Sequence, residues 1–336
     1  MNGFRFLLLV MAICLASGVK AKCYSNEHVY CNQNEKALND GIDSKQSKIS
    51  TSSTTTTTTV PNNVPSSQSN TTSKDAENSL RQGMSLFEKD DYKNAIPHLE
   101  KAAKMNNTYA QGLLGECYRQ IWESEKAKYW LEKSANQGDA VGEYYLGLYY
   151  YQGTDILGTT IDYGKARYWF TRAASHQNEV SPLAQTELGN IYSEGKGVAK
   201  NLQKAKEWYQ KAADQGFVVA QARIGDVYYE ENNVQKAKYW YEKAANQGHD
   251  GAQCVLGVIY SEERNMQKAI YWLEKAGNHG NEYAIDLLVD IYKTGDGIPK
   301  DLQKATYWSN KRKGIKSPGL NLVKEVYESV INKDKQ

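Results

Sequence analysis

The stretch "AQTELGNIYSEGKGVAKNLQKAKEWYQKAADQG" (184–216) decides the fold. Counted from Ala184, apolar residues fall at steps 0, 4, 7 and 8: Ala184, Leu188, Ile191 and Tyr192. That spacing puts them on one face of a helix. Gly189 at step 5 removes a side chain so that a partner helix can approach closely. Gly costs a helix roughly 1 kcal/mol against Ala, so packing must outweigh it. "GKGV" supplies the turn. In the second half Ala205, Trp208, Ala212 and Ala213 make another apolar face, and Gly216 supplies a left-handed cap. The stretch reads as a helical hairpin.

The hairpin recurs. Gly83, Gly115, Gly147, Gly189, Gly225, Gly257 and finally Val289 occupy the step-5 place, at intervals of 32, 32, 42, 36, 32 and 32 residues. Periods of this size mean a solenoid of stacked helix pairs. The second helix repeats as closely: "EKAKYWLEKSANQG" (125–138), "QKAKYWYEKAANQG" (235–248) and "QKAIYWLEKAGNHG" (267–280). Repetition leads us to expect building material in these basic, aromatic runs rather than a ligand patch. The phase sets Trp130, Trp169, Trp208, Trp240, Trp272 and Trp308 beside core alanines, with lysines on a solvated face. In the first unit His98 takes the Trp place, and Pro97 beside it is expected near the first turn of its helix.

The whole unit at 184–216, and the loop in "YKTGDGIPKDLQKATYW" (292–308), closely resemble the Sel-one-like repeat, a tetratricopeptide-related helical hairpin. The resemblance spans about residues 78–319 and is specific, because many positions recur in phase. It implies an all-α, right-handed α-solenoid of about seven helical hairpins over residues 76–319. It also implies a non-enzymatic scaffold or adaptor. Members of the family serve in protein quality control and in bacterial envelope or host-interaction roles.

The ends read differently. Residues 1–21 have a positive Arg5, the apolar run "FLLLVMAICLA" and small residues ending at Ala21, the pattern of a cleaved secretory signal. Export to a periplasm or the exterior is expected, with no membrane span in the mature chain. Residues 22–75 form a Thr/Ser-rich spacer with almost nothing to bury. Oxidising surroundings would let Cys23 and Cys31 close a small disulfide loop, whereas Cys117 and Cys254 read as buried apolar residues. Asn70 and Asn106 carry N-x-Thr acceptors. "NLVKEVYESVI" (321–331) reads as a capping helix within a 320–336 tail.

Composition excludes several chemistries. The net charge of +2 argues against a field that would draw nucleic acid. The five His are scattered and no C-x-x-C occurs, so neither a metal nor a cofactor is expected. "SEGK" (193–196) and "KTG" (293–295) match fragments of the penicillin-recognising set, and some cysteine-rich relatives have been linked to β-lactamase activity. Both fragments lie in equivalent loops three units apart and cannot converge, and no Ser-Asp-Asn is present. Binding of cell-wall glycans through exposed tyrosines is a further alternative.

The functional clue is the face of the first helix at steps 2, 6 and 9, away from the core face. In related solenoids it lines the concave groove that holds peptides or partner proteins. It varies from unit to unit. The candidate partner-binding residues are Glu116, Arg119, Tyr144, Leu148, Tyr151, Asn190, Asp226 and Tyr229. Tyr144, Leu148 and Tyr151 form an aromatic patch where Tyr would anchor a protein or peptide, unless the inserted loop of that long unit covers it.

Overall fold

A computed structural model describes residues 68–153 and 161–314, with side chains from residue 74. The leader, the Cys23–Cys31 pair, most of the spacer, the centre of the 153–162 insertion and the capping segment lie outside the described residues. Within them are fourteen helices and no strand. These are α1 Gln68–Phe87, α2 Tyr92–Lys104, α3 Thr108–Gln120, α4 Ser124–Asn136, α5 Ala140–Gln152, α6 Tyr163–Ser175 and α7 Ser181–Glu194. They continue with α8 Leu202–Asp214, α9 Val218–Glu230, α10 Val234–Asn246, α11 Asp250–Glu262, α12 Met266–Asn278, α13 Glu282–Thr294 and α14 Leu302–Gly314. The fold is an all-α helical-repeat solenoid, in two compact units. The first ends at Asn233 and holds α1–α9; the second begins at Val234 and holds α10–α14.

Short polar signals start and stop the helices. The side chain of Asn107 accepts from Ala110 N, that of Asp162 from Lys165 N and that of Asn201 from Lys204 N, each at an N-cap. In the long third repeat Asn178 accepts from Val180 N and Ser181 N just before Pro182, which sits where a missing N–H is cheap. Gly216 has φ +85°, and Gly195 and Gly197 of the "GKGV" turn have +73° and +67°, as the turns require.

Two expectations change. α1 begins at Gln68, inside the span read as spacer. Pro97 lies in the second turn of α2, not its first, because the helix reaches back to Tyr92 from a turn in which Asp90 has φ +57°. The side chain of Asp91 there accepts from Asn94 Nδ2.

The core repeats in both units, with one correction. Ala184, Leu188 and Ile191 are buried as phased. On the second helix, however, the buried position is the residue after Trp: Leu131, Phe170, Tyr209, Tyr241 and Leu273. Ala205, Tyr209 and Ala212 lie four and three apart on one line, which leaves Trp208 on the flank. Trp130, Trp169, Trp208 and Trp240 are half-buried, and only Trp272 and Trp308 are buried. Lys211 Nζ lies 3.9 Å from the centre of the Trp208 ring, so the lysine covers the flank. Cys117 and Cys254 are both buried, as expected.

Candidate functional site

The first helices of the unit ending at Asn233 carry the expected face. At steps 2 and 6 most residues are covered there, Asn190 being the half-buried exception. Glu116, Tyr144, Leu148 and Asp226 are 3, 5, 8 and 7% exposed. The reason is stacking between successive first helices. A Cβ on Gly112 of α3 would meet the backbone nitrogen of Gly142 in α5 at 3.0 Å. In α3 this face is therefore covered by α5 of the next repeat, a contact that periodicity within one helix cannot reveal. Tyr144 packs at 5.9 Å between ring centres against Phe170, so it belongs to the interior of α5–α6 rather than to an exposed patch.

What stays partly accessible is a rim at the C-terminal ends of these helices, the step-9 residues: Arg119, Tyr151, Ser193 and Tyr229 are half-buried, the Arg119 side chain being 13% exposed. Each of the first three is fixed. Arg119 holds Glu116 with two bonds, Nε to Oε2 at 2.6 Å and Nη2 to Oε1 at 2.7 Å, and Nη1 donates to Gln152 of α5 at 2.8 Å. Burial alone would lower the Arg119 pKa, but the Glu116 carboxylate raises it, so the guanidinium stays charged. Tyr151 stands edge-on to Tyr163 and Phe170. Its hydroxyl accepts from Lys196 Nζ at 2.9 Å, while the same ammonium lies 4.4 Å from its ring centre. Burial pushes the Tyr151 hydroxyl up to about 12, against the opposing pull of Lys196. Half-buried Asn190 accepts from the hydroxyl of buried Tyr209 at 2.7 Å, and Asp226 pairs with Arg223 at 3.2 Å.

Trp122 escaped the sequence reading. It sits in the α3–α4 turn, 70% exposed, with φ +65°. A bulky residue held left-handed and in water is costly and marks a place to look for function. The signal was present: Asn232 and Arg264 stand at the same phase, so this Trp falls outside the repeated Trp set.

The Ser-x-x-Lys fragment is not assembled as a nucleophile and base. Ser193 Oγ donates to the Asn190 carbonyl and shares a bond with Tyr209. Burial would lower the Lys196 pKa, but bonds to Glu194 and Tyr151 raise it, so the group is an ammonium and not a base. Among the described residues no group of three His, Cys, Asp or Glu is placed to hold a metal. No described helix is long and apolar enough to cross a membrane.

Comparison with known proteins places this geometry. The Sel1 repeat model matches residues 108–139, 140–178, 182–217, 218–249, 251–281 and 284–311, and a tetratricopeptide repeat model matches 76–109. A putative sel1-like repeat-containing protein of Acanthamoeba polyphaga mimivirus is 32% identical over 140 residues, which is 40% of this chain and 24% of that protein. A component of an ERAD-associated E3 ubiquitin-protein ligase of Arabidopsis thaliana is 33% identical over 99 residues, 29% of this chain and 14% of that one. The chain thus spans a quarter or less of these curated relatives. The crystal structure of a Sel1 repeat protein from Oxalobacter formigenes superposes with a TM-score of 0.58 at 30% identity, covering 70% of this chain and all of that one.

Proposed function

Because the chain belongs to the Sel1 repeat family, whose repeats bind proteins and are generally non-catalytic, we propose that it is an exported, non-enzymatic scaffold. It holds a protein or peptide partner against the rim at the ends of α3, α5, α7 and α9. The observation that carries the site is the contrast between a buried, repeated first helix and a partly accessible, non-repeating end: Arg119, Tyr151, Ser193 and Tyr229, with Trp122 beside Arg119. Tyr, Trp and Arg are the residues that most often anchor interfaces. Bonds to Glu116, Gln152 and Lys196 fix two of them in advance, which lowers the entropy cost of binding.

The test is a phage-displayed peptide library panned on the mature chain, residues 22–336. Selected peptides should bind about tenfold more weakly to Tyr151→Ala and to Trp122→Ser, while helicity is unchanged. If every selected peptide ignores both changes, the rim is not the site. Turnover of a β-lactam that vanishes in Ser193→Ala would overturn the non-enzymatic reading. Export rests on the leader sequence; secreted protein should begin at Lys22, and an intact Met1 in the exported fraction would contradict it.

A further inference from the structure

The near-zero net charge conceals a sorting of charge by helix. In the unit that begins at Val234 the second helices of the repeats, α10, α12 and α14, carry net charges of +2, +1 and +4. The first helices α11 and α13 each carry −2. The positive helices also display aromatic rings. Tyr239, Tyr271 and Tyr307 are 56, 51 and 56% exposed, each the residue before the repeat's Trp. Every one stands nearly perpendicular to that Trp, with ring centres 5.5, 5.0 and 5.1 Å apart. Three residues beyond each Trp a lysine lies over the indole: Lys243, Lys275 and Lys311, at 4.7, 5.0 and 5.0 Å. Lys243 and Lys275 also cover a face of the preceding Tyr, at 5.5 and 4.7 Å. α12 and α14 touch directly, since Lys311 Nζ donates to Asn278 at 2.6 Å and a Cβ on Gly277 would meet the Trp308 ring at 2.9 Å.

We propose that this outer face binds a linear anionic polysaccharide bearing carboxylate or sulfate groups, one anionic group to each lysine. Three features select this ligand. The same cation-and-ring unit recurs once per repeat. Identical sites in a row match a polymer with a repeating charge, whereas a folded partner presents a non-repeating surface. Lys243 and Lys275 are held in place by ring faces, which an approaching anion need not displace, and Lys311 is held by the Trp308 ring and by Asn278. The exposed phenol hydroxyls offer hydrogen bonds of the kind sugar hydroxyls return. A nucleobase would instead need a Tyr face to stack on, and in α10 and α12 the lysine already occupies one. The same unit recurs in α4 and α6 as Tyr129–Trp130–Lys133 and Tyr168–Trp169–Arg172. α8 breaks the pattern with Glu207.

The experiment measures binding of the mature chain to polygalacturonate and to heparin, with poly(U) and polyglutamate as comparison polymers. Two variants are used: Tyr239→Ser/Tyr271→Ser/Tyr307→Ser, which keeps every charge, and Lys243→Gln/Lys275→Gln/Lys311→Gln. All six positions lie at the surface or its edge, and circular dichroism checks that both variants fold. At least one acidic glycan should bind the parent, and each variant should lose about tenfold or more. Glycan binding should survive Tyr151→Ala, which separates this face from the rim. The proposal is overturned if neither glycan binds, if the Tyr variant binds as the parent does, or if poly(U) or polyglutamate binds more tightly than both glycans.

Discussion

Gly115→Ala tests whether the glycine of each repeat is a packing device. A methyl group there would lie 2.6 Å from Leu131 Cγ, 2.7 Å from Cδ2 and 2.9 Å from the Leu131 backbone nitrogen. Leu131 is fully buried, and its nitrogen belongs to the backbone of α4. Local yielding is therefore closed off, and α4 must move away from α3. Taken alone, the exchange favours the helix by ~1 kcal/mol. Overpacking typically costs ~1–3 kcal/mol, and a clash with backbone belongs at the top of that range. The net expectation is a loss of about 2 kcal/mol. Urea unfolding followed by far-UV circular dichroism would show it as a lower midpoint at unchanged slope. Leu131→Ala alone should cost ~2–5 kcal/mol through the cavity it leaves. In the double variant the new methyl enters that cavity, so the combined cost should fall short of the sum by ~1 kcal/mol or more. A Gly115→Ala protein as stable as the parent, or a strictly additive double variant, would refute the reasoning. The last repeat makes the same exchange naturally: Val289 stands at the Gly place, and Ser309 stands where Leu131 and Tyr209 stand.

Further outcomes follow from the same geometry. Burial holds the Tyr151 hydroxyl at about 12 against an ordinary 10.0. A group that keeps its proton more tightly when folded contributes stability that is intact below pH 10 and lost as pH climbs through about 12. Thermal melts at both ends of that window should show Tyr151→Phe losing less than the parent; equal losses would remove Tyr151 as a source. Glu143 is 1% exposed and receives Arg172 at 2.7 Å and His176 at 2.9 Å, where Gln111, Gln185 and Gln253 stand in other repeats. Glu143→Ala removes the acceptor of both partners, whose side chains are 38 and 33% exposed, and should cost about 1–2 kcal/mol. Glu143→Gln should cost less, because an amide can donate to the Ala135 carbonyl as Gln111 and Gln253 donate to Ala103 and Ala245. Chemical denaturation that ranks the two variants the other way would contradict this account.

Periodicity by itself determined the repeat, its helices, the alanine faces, the step-5 glycines and the capping glycines. Each follows from the geometry of one helix meeting its hairpin partner, and that geometry is written into residue spacing. The tertiary structure decided which remaining faces are wet. Glu116, Leu148 and Asp226 lie off the phased core face and Tyr144 turns onto Phe170 of its own partner helix, yet all four are buried. The candidate face therefore contracts to its ends, at Arg119, Tyr151 and Tyr229, with Asn190 half-buried behind them. The same limit misplaced the tryptophans. A spacing of three places Trp208 close to the alanine line, but the wider hairpin contact goes to Tyr209, and the exposed residue in most repeats is the Tyr before the Trp. Spacing along one chain encodes which residues share a face. Whether that face meets water depends on helices from the next repeat, whose approach is set by three-dimensional packing.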